Sequence, residues 1–427
     1  MSQPSATPTP VRPPLLSLDD ALARLTQTVR PFDAAQAQHV STFDALGRVL
    51  AADVRALVDV PPADNSAMDG YAMRCADVPA AGTTLPVSQR IPAGVVGAPL
   101  TPGTAARIFT GAQVPLGADA VVMQEQCTAV SDTTAGGAVR IDTMPRLGLS
   151  IRRRGEDVSA GSVVLAAGMR LTPQALGLAA SVGAATLAVA RRPRVALFST
   201  GDELVMPGEV APEQMKPGAI YNSNRYTLRA LIQALGCECT DLGIVPDRLD
   251  ATREALRRAA QEHDLIVTSG GVSVGEEDHL RPAVAAEGRI DLWQIAIKPG
   301  KPLAFGEVRR SDASTAWFIG LPGNPVSSFI TFLLAVRPVL MRLQGAPDTA
   351  PASLPLRADF DWPRPDKRRE FLRVRRNAHG GLDLFTNQSS GVLTSTVWGD
   401  GVVDNPSGQA IRVGDVVRYL PFSELMS

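Results

Sequence analysis

The chain reads as a multi-domain α/β protein. The central domain is a doubly wound, mostly parallel sheet, with a β-rich N-terminal domain before it and a small C-terminal β-barrel-like domain after it. Three observations predict this. From Arg194 onward, short apolar runs alternate with amphipathic stretches in a strand–helix–strand rhythm. Between residues 53 and 165, Gly and Pro recur every few positions and separate brief apolar runs. The length of 427 residues exceeds what one core supports, and 45% hydrophobic content can fill several.

Leu18 to Val29 is expected to form an amphipathic helix, with Ser17 as N-cap and Asp19 and Asp20 in the first turn. Arg107–Phe109, Ala120–Met123 and Ser162–Leu165 follow as short strands, and Thr172-Pro173 opens a helix running to about Ser181. In the central domain, Val195–Ser199, Cys239–Val245, Leu265–Thr268, Leu292–Ile297 and Trp317–Gly320 are expected strands. Leu228, Leu231, Ile232 and Leu235 mark one helix face, Ala251–Glu262 another helix, and Val326–Leu343 a closing helix. Leu354–Ala358, Phe371–Arg375, Leu382–Phe385 and Val413–Tyr419 supply the C-terminal strands. The expected division is a tail over 1–14, a linking domain from 15–52 and 151–190, a β-rich insert over 53–150, an α/β domain over 191–345 and a β domain over 346–427.

Charge excludes bulk electrostatic partners. Lys and Arg total 42 against 43 Asp and Glu, a net charge of -1, so nothing draws the chain to nucleic acid or anionic membrane. Cys75, Cys127, Cys237 and Cys239 form no CxxC pair; Cys237 and Cys239 read as thiols of a packed strand, with a redox pair as the alternative. Met1–Pro14 is rich in Pro, Ser and Thr and lacks the apolar core of a secretory signal. The run Phe329–Val336 is too short to span a bilayer, and a cytoplasmic location is the expectation. No His has a metal-ligand partner at i+3 or i+4, and no G-x-S-x-G marks a hydrolase.

The densest chemical signal is Ser269-Gly270-Gly271-Val272-Ser273-Val274-Gly275, followed by Glu276-Glu277-Asp278. An apolar strand ends in glycines whose amides can face an anion, with carboxylates beside them to hold a cation such as Mg²⁺. A tight turn explains one such glycine but poorly explains three beside an acid cluster. Thr200-Gly201-Asp202-Glu203 falls at another strand end. There Asp202 reads equally as a helix cap, while Asp202, Glu203 and Asp278 together could supply oxygen ligands to one Mg²⁺. Lys298-Pro299-Gly300-Lys301 holds two ammonium groups in a stiff turn, an arrangement that suits a polyanion. Pro322-Gly323-Asn324-Pro325 opens the closing helix and should leave amides free beyond Pro325. Arg152-Arg153-Arg154-Gly155-Glu156-Asp157 reads by itself as a solvated charged turn.

Together with Asp64-Asn65-Ser66-Ala67-Met68-Asp69-Gly70-Tyr71-Ala72, these ordered segments resemble the molybdopterin molybdenumtransferase family, bacterial relatives of the gephyrin E domain. The C-terminal pieces Arg368–Arg373 and Ser389-Ser390-Gly391 extend the likeness more loosely. The resemblance implies the last step of molybdenum cofactor assembly. Adenylylated molybdopterin and molybdate enter, AMP leaves with the help of Mg²⁺, and the enzyme works as a homodimer.

By motif position the resemblance marks Asp69, Asp157, Glu203, Asp247 and Asp278 as catalytic carboxylates. It marks Thr200, Gly201, Ser269, Gly270, Gly271, Ser273, Lys298, Lys301, Pro322, Gly323, Asn324 and Pro325 as substrate contacts. Asp202, Glu203 and Asp278 are the metal candidates, and Asp69 would act across the dimer interface. Two alternatives are the sister reaction, adenylyl transfer from ATP to molybdopterin, and a non-catalytic pterin-binding scaffold.

Overall fold

The computed structural model describes residues 15–130, 136–272, 279–347 and 349–426. The chain divides into two compact units. One holds residues through Gln38, Gly47–Ala51 and everything from Ala190; the other holds His39–Leu46 and Ala52–Val189.

The first unit begins with α1 (Leu18–Thr28), capped as expected by the Ser17 hydroxyl, which accepts the Asp20 amide at 3.1 Å. Leu18, Ala21 and Leu25 bury its inner face. The α/β region follows as β1 (Arg194–Thr200), α2 (Ser223–Ala234), β2 (Glu238–Val245), α3 (Leu249–Glu262), β3 (Leu265–Ser269), α4 (Leu280–Glu287), β4 (Gly288–Gln294), β5 (Pro302–Arg309) and β6 (Thr315–Leu321). The six strands lie in the order β2-β1-β3-β6-β5-β4. β2, β1, β3 and β6 run parallel, while β5 and β4 add an antiparallel edge.

Alternate side chains feed two cores, one on each face. Val195, Leu197, Val267 and Ile319 pack against α1 and α2. Ala196, Phe198, Ile266 and Phe318 pack against α3 and α4. A fully buried Phe198 or Phe318 stabilises the fold by about 1.5–3 kcal/mol through removal of its ring from water.

Three expectations change. Leu292–Ile297 is not one strand: β4 stops at Gln294, and Ile297–Lys298 instead pairs with the C-terminal domain at Arg369 and Glu370. β5 and α4 were not foreseen. The closing helix is a compound rod, α over Pro325–Thr331, π over Phe332–Val336, and α again over Arg337–Leu343. The Arg337 amide reaches the Phe332 carbonyl five residues back. Pro338 has no N–H to offer the turn before it, and the widened turn accommodates that loss. This rod is the one helix among the described residues long and apolar enough to cross a bilayer, and 89% of its apolar window is buried inside the protein.

The C-terminal strands β7 (Leu354–Ala358), β8 (Arg369–Arg376), β9 (Gly381–Leu384), β10 (Gly401–Asn405) and β11 (Val416–Pro421) close into a barrel, because β8 pairs with β10 as well as β9. Leu372, Val374, Val403 and Tyr419 fill it.

The second unit is built on a six-stranded sheet, in the order Ala120–Met123, Gly70–Met73, Ala105–Ile108, Thr83–Ile91, Ala138–Ile141 and Cys127–Ala129. The Pro173–Ser181 helix starts at Thr172, whose hydroxyl accepts the Ala175 amide. The four cysteines are free thiols, and burial pushes Cys239 up to about 11 and Cys127 up to about 12, which keeps both unreactive.

Candidate functional site

β1, β3 and β6 are adjacent and parallel, so their carboxyl ends open on one edge of the sheet. The chain leaves β1 through α2 to one neighbour and reaches the other, β3, through α3. That reversal makes the gap between β1 and β3 a topological switch point, the place where open α/β sheets hold ligands.

A cavity of about 470 Å³ lies there. It is lined by Thr200, Gly201 and Glu203 at the end of β1, by Asp247 beyond β2, by Ser269, Gly270 and Gly271 at the end of β3, and by Pro322, Gly323, Asn324 and Pro325 beyond β6. Eleven of the expected site residues thus meet in one place.

Backbone shape is decisive at the β3 tip. Gly270 and Gly271 have φ of 93° and 64°, in the left-handed region. A Cβ on Gly270 would stand 2.5 Å from the Thr200 carbonyl oxygen, and one on Gly271 2.8 Å from the Thr200 hydroxyl. Both glycines are therefore required by the close approach of β1. Their amides differ, however. Gly270 donates to the Leu321 carbonyl at 3.1 Å, which removes it as an anion donor. Gly271 has no backbone partner among the described residues.

Two asparagines that sequence reasoning did not single out organise the cavity. Asn224, in the first turn of α2, donates through Nδ2 to the Ser269 hydroxyl at 2.8 Å and to the Gly323 carbonyl at 2.7 Å. One amide thereby ties the β3 tip to the turn after β6. Asn222 caps α2, its Oδ1 accepting the Arg225 amide at 3.1 Å. Its Nδ2 is buried with no hydrogen-bond partner among the described residues, as is the Thr200 hydroxyl, and both residues line the cavity. The available signal was Asn222-Ser223-Asn224 immediately before an apolar helical stripe.

The remaining candidates lie elsewhere. Asp202 is exposed outside the lining, but its carboxylate accepts the Asp247 amide at 3.3 Å and so braces that residue. Lys298 is turned to the barrel, 3.2 Å from Glu370 and 3.5 Å from Asp366. Lys301 precedes Pro302, itself a lining residue, and has no side-chain partner among the described residues. The amides expected to be free beyond Pro325 are fewer than foreseen, because Val326 donates to the Ser390 carbonyl at 3.0 Å. Ser390 belongs to the barrel loop beside Ser389, whose carbonyl accepts from Arg373 at 3.2 Å. Arg373 is 1% exposed and meets only neutral acceptors, and burial pulls its guanidinium down to about 10. Ser273 and Asp278 lie outside the described residues.

Asp69 and Asp157 belong to the second unit, Asp69 half-buried and Asp157 exposed. Asp69 Oδ1 accepts both the amide and the hydroxyl of Thr110 at 2.7 Å. The amide bond chiefly, then the hydroxyl, holds this carboxyl below the usual carboxylate range. The charged turn before Asp157 is not merely solvated. Arg153 pairs with Asp64 and Arg154 with Asp59, both at 2.6 Å, while Ile151 and Arg152 pair as strand with Ser66 and Asn65. Two sequence motifs distant in the chain are thus joined within one unit.

Family models match nearly the whole chain: "MoeA N-terminal region (domain I and II)" over residues 16–183, "Probable molybdopterin binding domain" over 196–342 and "MoeA C-terminal region (domain IV)" over 355–422. The middle match coincides with the α/β region that holds the cavity, which defines a molybdopterin-binding α/β protein with flanking domains. The molybdopterin molybdenumtransferase of Haemophilus influenzae is 42% identical over 332 residues, 78% of each chain. The protein of the same name from Nostoc is 38% identical over 79% of this chain and 77% of its own. The molybdopterin biosynthesis MoeA protein of Pyrococcus horikoshii superposes with a TM-score of 0.82 at 28% identity, covering 96% of this chain and all of that one. The chain belongs to the molybdopterin molybdenumtransferase family, and is an enzyme of molybdenum cofactor biosynthesis acting on molybdopterin.

Proposed function

We propose that the enzyme takes adenylylated molybdopterin and molybdate, releases AMP, and leaves molybdenum on the dithiolene sulfurs. One observation carries this reading: polar groups from four strand tips and from the cap of α2 meet in the switch-point cavity, two of them, Thr200 Oγ1 and Asn222 Nδ2, buried without a hydrogen-bond partner among the described residues. Such groups favour a polar ligand that completes their hydrogen bonds. Thr200, Ser269 and the Gly271 amide would orient phosphoryl oxygens, and Lys301 would add a cation at the rim. Lys298 would reach substrate only by leaving Glu370.

The donor set fits Mg²⁺. Glu203 and Asp247 bring hard carboxylate oxygens to the same cavity, and no group of three or more His, Cys, Asp or Glu side chains among the described residues forms a complete metal cage. Mg²⁺ is ordinarily held by one or two carboxylates with waters and substrate phosphates. Glu203 and Asp247 would hold it, with Asp202 bracing Asp247 and Asp278 as a further ligand. Bound there, Mg²⁺ would offset charge on the phosphoanhydride.

A cytoplasmic homodimer is part of the same proposal, with Asp69 and Asp157 completing the partner's cleft. Phe43, 92% exposed beside Leu176 and Ala180 on an apolar groove of the second unit, supports a protein–protein contact.

The test is AMP release from adenylylated molybdopterin with Mg²⁺, with and without molybdate. Release should require molybdate, and Glu203→Gln should slow it about a hundredfold or more. Pyrophosphate release from ATP instead would assign the chain to the adenylyl-transfer reaction. A wild-type rate in Glu203→Gln would remove that carboxylate from the mechanism.

A further inference from the structure

Asp69 is anchored through one carboxylate oxygen. Oδ1 accepts both Thr110 donors, while Oδ2 has no hydrogen-bond partner among the described residues. Thr110 is itself exposed, so its two bonds are open to competition from water. Arg107 stands on the neighbouring strand, opposite Tyr71, with Arg90 as its register partner on the other side. Like charges placed directly opposite weaken strand pairing, so sheet stability does not account for an arginine at position 107. The Phe109 ring centroid, 4.5 Å from the Arg90 guanidinium carbon and 4.7 Å from that of Arg107, softens the repulsion without removing it.

The Arg107 guanidinium is fixed on several sides. It donates through Nη1 to the Gly70 carbonyl at 3.0 Å and through Nη2 to the Gln124 side chain, and it lies 5.1 Å from the Tyr71 ring centroid. Gln124 in turn donates its backbone amide to the Asp69 carbonyl at 3.0 Å. Gly70 brings no side chain to this stretch, and a Cβ there would strike the Val122 carbonyl. The peptide units that follow Asp69 are held by hydrogen bonds instead, with Gln124 on one carbonyl and Arg107 on the next. No carboxylate among the described residues forms a contact ion pair with Arg107, yet its charge reaches Asp69. The Thr110 amide, then its hydroxyl, and last the Arg107 charge keep this carboxyl low, against the opposing effect of burial. A cation acting across a gap favours the ionised form without covering Oδ2, which a contact pair would occupy.

We propose that Arg107 is a positioning residue for Asp69: it fixes the backbone that carries this carboxylate and leaves Oδ2 open to substrate. The proposal rests on the reading that Asp69 acts in the reaction. Every contact it uses lies within the second unit. A planar guanidinium held by two hydrogen bonds and two rings keeps one orientation, which a flexible ammonium in its place would not.

The test uses the full-length chain and AMP release from adenylylated molybdopterin at saturating molybdate. Arg107→Gln should lower kcat about tenfold and leave KM within about twofold of wild type. Arg107→Lys, which keeps the charge but not the fork, should recover part of the loss. Arg90→Gln, which removes the other cation beside Phe109, should leave kcat unchanged. In an Asp69→Asn background, Arg107→Gln should add almost nothing, because the group it positions is gone. An equal loss in both backgrounds overturns the proposal, and so does a wild-type kcat in Arg107→Gln where Asp69→Asn is slow. Should Arg107→Gln not fold, Arg107→Lys carries the same comparison with a smaller expected loss. If Asp69→Asn turns over like wild type, or wild type releases no AMP, the catalytic reading of Asp69 fails. Carboxyl NMR of Asp69 then decides whether Arg107 governs it. The substitution leaves Arg90, Tyr71, Glu125, Arg152 and the Asp64–Arg153 pair in place around the carboxyl. A titration moved upward in Arg107→Gln upholds the control by Arg107, and an unmoved one overturns it.

Discussion

The switch-point cavity and the Arg90–Arg107 face are both polar surfaces on β-sheets, but they are made differently. The cavity is assembled from backbone and neutral side chains at strand tips: positive-φ glycines, a prolyl turn and two asparagines, with carboxylates at its margin. The other face is made from charged and aromatic side chains standing on paired strands, with a register shift between Val87 and Gln89 beside Arg90. A site of the first kind is intolerant of changes in shape. A site of the second kind is intolerant of changes in charge.

That contrast can be broken most sharply at Gly270. Gly270→Ala adds a Cβ 2.5 Å from a carbonyl oxygen at a left-handed φ, and should cost about 3 kcal/mol and abolish turnover. Urea denaturation against Arg90→Gln, which should show almost no loss of stability, measures the difference directly. Equal destabilisation by the two changes would erase the distinction. Asn224→Ala comes next. It leaves the Ser269 hydroxyl and the Gly323 carbonyl without their shared donor, at about 2 kcal/mol, and should loosen the cavity enough to raise KM for the pterin.

The smallest effect concerns acid. In the barrel, hydrogen bonds from Arg357, then Asn377, hold Asp359 down to about 2, and the Arg368 bond holds Asp366 lower than usual. These carboxyls bind fewer protons folded than unfolded, so their contribution is intact above about pH 4 and fades as pH falls toward 2. All four tryptophans (Trp293, Trp317, Trp362, Trp398) lie in the first unit, so their fluorescence during an acid titration reports that unit alone. A midpoint lying above pH 5 would mean that other groups govern acid unfolding.

Most of the α/β region was legible because its strands and helices announce themselves by period. β1, β2, β3 and β6 coincide with expected apolar runs, and α2 with the Leu228–Leu235 stripe. β5 escaped notice because Pro302 opens it, Gly306 interrupts it, and burial on both faces removes any alternation. A Cβ at Gly306 would run into the Arg289 carbonyl, so that glycine serves strand packing and does not mark a turn. α4 hid behind Pro282, which sits in its first turn, where the missing N–H has no helical partner to lose. β10 ends in Asp404 and Asn405, which look like a turn and are buried by the barrel instead.

The candidate site was legible where it depends on glycine and proline, since those residues mark backbone geometry. It was less legible where it depends on long-range partners. Nothing near Lys298 in the sequence reveals that Glu370 will claim its ammonium group, or near Val326 that Ser390 will take its amide. Such facts belong to tertiary closure. The pairing of Arg90 with Arg107 is of the same kind, because the two stand on separate strands that only the folded sheet aligns.

The wide turn at Phe332–Val336 has a consequence for how the rod beneath the cavity could be altered. A π turn is one residue more than an α-helix needs, so excising a single residue there would let the segment wind regularly while each end kept its angular phase. Pro325 would still open on the strand tips, and Leu340 would still point into the hydrophobic interior. What would return is the collision between the Pro338 ring and the carbonyl four residues earlier. Paired with a change of Pro338 to Ala, the shortened rod should refold, which makes the extra residue a fitting piece cut for one proline.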